Sequence, residues 1–374
     1  MNYIALKDVC TINMGQSPES SSYNEIGDGI PFFQGNADFG ERYPITRVWC
    51  NKPTKVAKAE DILISVRAPI GAMNYAKEKC CIGRGVAALT PNEEKVSSEF
   101  IFWLLKGKNN ELNQKGTGST FKAIGRKVLE EIQVPEINLE LQRKYASNLE
   151  RIYSIIQDRQ RQLEQLDKLV RARFVEMFGD PRSNPFGFPK SMLKDTCKVV
   201  TGNTPPRAAQ EYYGDYVEWI KTDNIVPEMI NPTKATESLS EEGIKVGRTV
   251  GKNSILMACI AGSIASIGKV CVTDRTVAFN QQINAVISKE YNILFLYVML
   301  QLSKDYLVEE INMSLKGILS KSKLEEKEFI VPPIDLQEQF AEFVEQVDKS
   351  KDSVKKALDE AQLLFDSLMQ QYFG

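Results

Sequence analysis

Histidine is absent from the 374 residues. That removes the usual general base, so Ser-His-Asp and Cys-His nucleophilic catalysis are excluded. Zinc sites of the Cys/His type lose half of their ligand set. The seven cysteines form no CxxC pair, and an odd number in a chain large enough for its own cores argues against a disulfide framework. The adjacent Cys80 and Cys81 raise redox chemistry, but ordinary strand residues are the favoured reading. No run of 18 apolar residues occurs, as a membrane-spanning helix would need. The most apolar stretch, SILMACIAGSIASIG at 254–268, is short and rich in small residues and reads as buried strand. The opening MNYIALKDVC has no charged region followed by an apolar one, so no signal peptide is expected and the cytoplasm is the expected compartment. Excess charge of either sign is missing too: 47 basic residues stand against 49 acidic ones.

What is present is a repeat. LKDVCTINMGQSP at 6–18 lies over LKDTCKVVTGNTP at 193–205 without a gap, at an offset of 187. IPFFQGN at 30–36 lies over VEWIKTDN at 217–224, and FIFWLL at 100–105 over FLYVML at 295–300. VPEINLELQ at 134–142 matches VPPIDLQ at 331–337, and from there an offset of 195 holds to the two FG pairs at 178–179 and 373–374. The chain is a duplication of a globular part followed by a helical part. The predicted order is a first domain over 1–140, a long helix over 141–179, a second domain over 180–335 and a second long helix over 336–374.

The globular parts read as mainly β. Short apolar runs at 60–66, 80–89, 253–262, 269–274 and 283–288 are bounded by Gly, Pro, Asn or Asp. Short helices are predicted at 97–106 and 292–304. In the long helices apolar positions step by four and three. The predicted seam is Ile152, Ile156, Leu163, Leu166 and Val170 on one helix, and Val347, Val354, Leu358, Phe365 and Leu368 on the other. Arg159, Arg173, Met177, Lys351, Ala361 and Tyr372 complete the spacing; Leu169, Phe174, Leu364 and Met369 widen the stripe. Two stripes of equal length, each following a β domain, favour mutual antiparallel packing with a pseudo-two-fold relation. Thirty-nine residues at 1.5 Å each would span roughly 58 Å, or about 17 base pairs of duplex.

With its duplicated openings, its VP…LQ junctions and its two helices ending in FG, the sequence resembles the specificity subunit of type I restriction-modification systems over its whole length. The resemblance implies an α/β (α+β) fold: two mainly β target-recognition domains separated by two antiparallel coiled-coil helices. It implies that each domain reads one half of a bipartite DNA sequence, that the helices set the gap and dock two methyltransferase subunits, and that a motor-nuclease subunit joins for cleavage. It further implies no catalysis and no cofactor on this chain, with S-adenosylmethionine, ATP and Mg on the partner subunits.

The charges bear on that reading. Residues 1–140 hold 17 basic and 17 acidic side chains, and residues 180–335 hold 18 and 19. Phosphate attraction drives most non-specific DNA affinity, and a lone tight binder would be more basic. Either Lys and Arg are gathered on one face, or a partner supplies phosphate contacts. The helices differ in sign, with 8 basic and 5 acidic residues over 141–179 and 4 and 8 over 336–374, which fits their pairing.

Reading bases needs Arg, Lys, Asn, Gln, Ser or Thr on loops that reach a groove. Candidates in the first domain are Gln16, Ser17, Gln34, Asn36, Arg67, Arg84, Thr117, Ser119 and Lys122. In the second they are Asn203, Thr204, Lys221, Asn224, Ser263, Gln281, Gln282, Lys316, Ser320 and Lys321. Each taken singly also reads as a solvated loop residue or a turn cap. The glycine-rich NQKGTGSTFKAIGRK at 113–127 is the most promising stretch, with MSLKGILSKSK at 313–323 in the equivalent place; neither holds a G-x-x-x-x-G-K-[ST] phosphate loop. A self-contained methylase would need a glycine-rich cofactor loop after a strand and an [N/D]PP[Y/F] motif, and SNPFGF at 183–188 has one proline where two are needed. A nuclease would need clustered carboxylates on strands, which are not evident. A non-catalytic scaffold, with two binding modules on a coiled-coil spacer, shares the architecture and remains open.

Overall fold

The computed structural model describes residues 2–118, 122–227, 229–309, 311 and 317–374. The chain forms two compact units: Met1–Gln160 with Lys356–Gly374, and Arg161–Lys355. Two helices of 40 residues, Leu139–Phe178 and Ile334–Phe373, each give one part to either unit.

The first unit holds three sheets, the smallest pairing Tyr3–Ala5 with Gln133–Pro135. An antiparallel four-stranded sheet has the order Cys10–Met14, Val86–Pro91, Ile62–Ser65, Met73–Tyr75. A five-stranded sheet has the order Tyr23–Asn24, Trp49–Cys50, Ile30–Phe33, Cys80–Ile82, Val56–Ala57, with Ile30–Phe33 and Cys80–Ile82 parallel. The run at 80–89, read from sequence as one strand, is two strands in different sheets. A turn at Gly83–Gly85 divides it.

The second unit repeats the plan. Its four-stranded order is Cys197–Thr201, Ile283–Ser288, Ile255–Ala258, Val270–Val272. Its five-stranded order is Tyr213–Gly214, Ser238–Leu239, Val217–Ile220, Val277–Phe279, Thr249–Val250. The short helices are Ser98–Gly107 and Ile293–Leu302, each capped by the side chain before it, Ser97 and Asn292.

The repeated LQ at each junction has a physical reason. Gln142 is buried. Its Oε1 accepts from the Ser97 N–H at 2.9 Å, and its Nε2 donates to the carbonyls of Ile137 at 2.8 Å and Lys95 at 3.2 Å. Gln337, also buried, accepts from the Asn292 N–H at 2.9 Å and donates to Pro332 O at 2.8 Å. A buried amide is costly unless paired, so each long helix is locked at its first turns to the cap of a short helix.

Within each unit the helical segments run antiparallel. In the first, Tyr145 stacks on Tyr372 with ring centroids 3.7 Å apart, and Tyr153 meets Phe365 at 6.0 Å. In the second, Asp167 pairs with Lys351, and Phe174 meets Phe340 at 5.4 Å. The seam is shared with the globular layers: Phe365 contacts Trp103 at 5.6 Å, and Phe174 contacts Phe295 at 5.4 Å. Ile156, Phe365, Val170 and Val347 are buried; Ile152, Leu358, Leu368 and Leu166 are partly covered by their unit's core. Leu163 and Val354 are half-buried and join neither core. Leu169 and Leu364 do not widen the buried stripe: they are 47% and 51% exposed.

All seven cysteines are buried and unpaired. Burial pushes the Cys80 thiol up to about 12 and Cys81 to about 11, from an ordinary value of about 8.5. Thiolate is the reactive form. In native protein at pH 8, Cys80 and Cys81 are expected to resist iodoacetamide and to react on unfolding, checked by mass spectrometry. Because the fold raises these values, the stability they contribute is full below the ordinary thiol value and is lost as pH rises toward 12. Phe174→Ala is expected to cost about 3–5 kcal/mol, since the ring lies wholly buried among Phe178, Phe295 and Phe340. Denaturant unfolding followed by site-specific probes should show the loss in the second unit's transition.

Candidate nucleic-acid interface

In the first unit a concavity of about 440 Å³ is lined by five of the nine sequence candidates: Ser17, Gln34, Asn36, Arg67 and Arg84. Strand ends bring them together. Gln34 and Asn36 follow Ile30–Phe33, Arg67 follows Ile62–Ser65, and Arg84 sits on the turn after Cys80–Ile82. The Gln34 turn is held by Asp38, whose Oδ2 accepts from the N–H groups of Gln34 at 2.7 Å and Gly35 at 3.3 Å.

The glycine-rich stretch lies against the same wall. Arg67 bridges Ala123, Ala123 bridges Thr117, and the Ala68 N–H donates to Lys122 O at 3.0 Å. Thr117 and Lys122 therefore stand beside the concavity, whereas Ser119 lies outside the described residues. Gln16 is exposed next to it; its N–H donates to Ile82 O at 3.0 Å, and its carbonyl accepts from Thr54 Oγ1 at 2.6 Å.

Gly15 fixes the approach. A Cβ there would lie 2.2 Å from Gly83 O, so only glycine lets the loop close on the turn. Gly202 is its counterpart, with a Cβ position 2.1 Å from Asn280 O.

The second unit spends several of its candidates on its own fold. Asn224 is buried and donates to Thr233 Oγ1 at 3.1 Å and Lys234 O at 3.2 Å. Asn203 accepts from the Arg248 N–H and donates to Val246 O, both at 2.8 Å. Gln282 Oε1 accepts from Asn280 Nδ2 at 3.1 Å, Ser263 Oγ lies 3.1 Å from Ser266 Oγ, and Ser320 caps the helix Lys321–Glu325. Lys321 is 3.5 Å from Glu325, and the Thr204 hydroxyl donates to Gln281 Oε1. Lys316 lies outside the described residues.

Sequence reasoning missed a second cluster. Arg207 stands 4.8 Å from the ring centroids of both Tyr213 and Trp219, and 2.6 Å from Glu237, which also pairs with Lys221. Lys221 and then Arg207 hold the Glu237 carboxyl below the usual carboxylate range. Arg207, Tyr213 and Glu237 line a concavity of about 530 Å³. TPPR at 204–207 reads from sequence only as a turn; the edge-to-face Tyr213–Trp219 pair beside Arg207 needs strand pairing to assemble. Among the described residues no group of three Asp, Glu, Cys or His side chains could hold a metal, and no helix is long and apolar enough to cross a membrane.

Two paired-sheet units carrying polar, cation-bearing concavities, each joined to a long helix, have counterparts among known proteins. A family model described as the type I restriction modification DNA specificity domain matches residues 1–166 and again 186–362. The chain is 48% identical over 157 residues to a protein assigned as the MjaX type I restriction enzyme specificity subunit of Methanocaldococcus jannaschii; that match covers 42% of this chain and only 37% of the relative. It is 24% identical to the MjaIX specificity subunit of the same organism, over 91% of this chain and 85% of the relative. The structure of a type I restriction-modification S subunit from M. genitalium superposes with a TM-score of 0.65 at 15% identity, covering 100% of this chain and 96% of that one. With both halves matched by one family model, this chain belongs to the family of type I restriction-modification DNA specificity subunits.

Proposed function

We propose that the two units read the two halves of a bipartite DNA sequence, that the long helices set the interval between the halves, and that they dock two methyltransferase subunits. In this reading a motor-nuclease subunit joins the complex for cleavage. S-adenosylmethionine is held by the methyltransferase, ATP and Mg by the motor, and this chain contributes recognition without chemistry.

The observation that carries the reading is the repeated sheet order, which places polar turn residues at the same strand ends in both units. Docking is supported by apolar residues left open on the helices. Ile155, Leu363 and Leu364 are exposed in the first unit's segments, Leu363 at 73%, and Leu169 and Val175 in the second's. The adjacent Leu363 and Leu364 are the pair among them that suits a protein partner. The balanced charge of each half supports a division of labour in which partner subunits supply much of the phosphate attraction. The rival reading, a scaffold without nucleic acid, is separated by one test: a mobility shift of duplex DNA by the chain with its methyltransferase.

Two outcomes are expected. Replacing residues 1–135 with the matching domain of a relative should change one half of the methylated sequence and spare the other, as mapped by long-read sequencing of modified adenine; change in both halves would refute independent readers. The second test lengthens the helices. Asp167 faces Lys351, so seven residues inserted after Asp167 and seven before Lys351 keep the heptad register and add roughly 10 Å, about three base pairs. Remaining methylation should fall on the same half-sequences with a longer unread gap. Undiminished methylation at the original gap would leave the helices a docking role only.

A further inference from the structure

We infer that Arg84 and Gln281 are equivalent base-reading residues, and that one half of the target carries a guanine at the position where the other half carries an adenine. The inference deepens the proposed function and rests on it.

Equivalence follows from the hydrogen bonding of the two openings. The Gly15 and Gln16 N–H groups donate to Val86 O and Ile82 O at 2.9 and 3.0 Å. The Gly202 and Asn203 N–H groups donate to Ile283 O and Phe279 O at 2.9 and 3.1 Å. These four bonds superimpose Gly83-Arg84-Gly85 on Asn280-Gln281-Gln282. Both tips are clamped by a glycine that admits no Cβ.

Burial singles out the middle residue. Residues 80–83 and 85–89 are buried and Arg84 between them is exposed; residues 277–280 and 283–286 are buried and Gln281 is exposed. The firmly held stem fixes the backbone from which the side chain reaches, which removes that part of the entropy cost of a directed contact.

The Arg84 head group is unspent, and the Gln281 amide is spent only in part. Among the described residues the Arg84 guanidinium makes no hydrogen bond or ion pair; its backbone N–H donates to Ser17 Oγ at 3.3 Å. Arginine's planar fork matches guanine O6 and N7 in the major groove. At Gln281 the Thr204 hydroxyl donates to Oε1. With Oε1 accepting from that hydroxyl, the NH₂ donors and one lone pair remain, the pair that matches adenine N7 and N6. Thr204 is thus a positioning residue for Gln281.

The test is selection from a randomised duplex library by the chain assembled with its methyltransferase. Wild type should return a bipartite sequence; if it does not, the functional reading falls and this inference with it. Arg84→Gln should lower the preference for one guanine in one half by roughly tenfold or more and admit adenine there, with the other half and the melting temperature unchanged. Gln281→Arg should do the reverse in the other half. Arg84→Lys keeps the charge without the planar fork and should weaken the guanine preference in that half without admitting adenine. If Arg84→Gln and Arg84→Lys both return the wild-type sequence, the assignment is wrong while the two-reader model stands. Uniform weakening over all sequences, with a salt slope reduced by about one, would make Arg84 a phosphate contact and equally overturn it.

Discussion

Each long helix is tied to its unit through a buried amide. Gln142 and Gln337 are each sealed from water and paired to backbone groups of a neighbouring cap and of the approach to their own helix. Removing a partner from such a group costs its full desolvation penalty, about 1–3 kcal/mol. The direction in which each long helix leaves its unit is therefore set at its first turns. Further along, the aromatic pairs Tyr145 on Tyr372 and Phe174 among Phe295 and Phe340 add contacts within each unit.

Sequence made the duplication, the long helices and their antiparallel pairing legible, because repeats and heptad spacing survive without knowledge of packing. The LQ motif was visible, but its purpose was not: it depends on the Ser97 and Asn292 caps, some 45 residues away in sequence. The run 80–89 was read as continuous because its apolar residues hide a turn that only sheet pairing reveals. Leu169 and Leu364 misled for the opposite reason, since an apolar residue on a helix says nothing about which face the fold covers.

The grouping of candidate residues was half legible. Residue type sufficed to gather Ser17, Gln34, Asn36, Arg67 and Arg84, because strand ends converge. Type failed at Asn203 and Asn224, whose amides are consumed internally. It also failed at Arg207, whose value comes from Tyr213 and Trp219 being brought beside it. The two units thus share a frame and differ in electrostatic state: the first presents arginines beside a turn-holding aspartate, the second a cation–carboxylate–cation group.

The makeup of the first unit has a consequence for synthesis. It needs residues 356–374, which leave the ribosome long after residue 160. At about 5–20 residues per second the delay is roughly 10–40 s. The second unit, drawn from one continuous segment, is complete sooner. Until the last helical turns arrive, the faces of Trp103 and Tyr153 that meet Phe365 stand open to water. The amino-terminal half of the chain, though made first, is thus the later to complete its contacts.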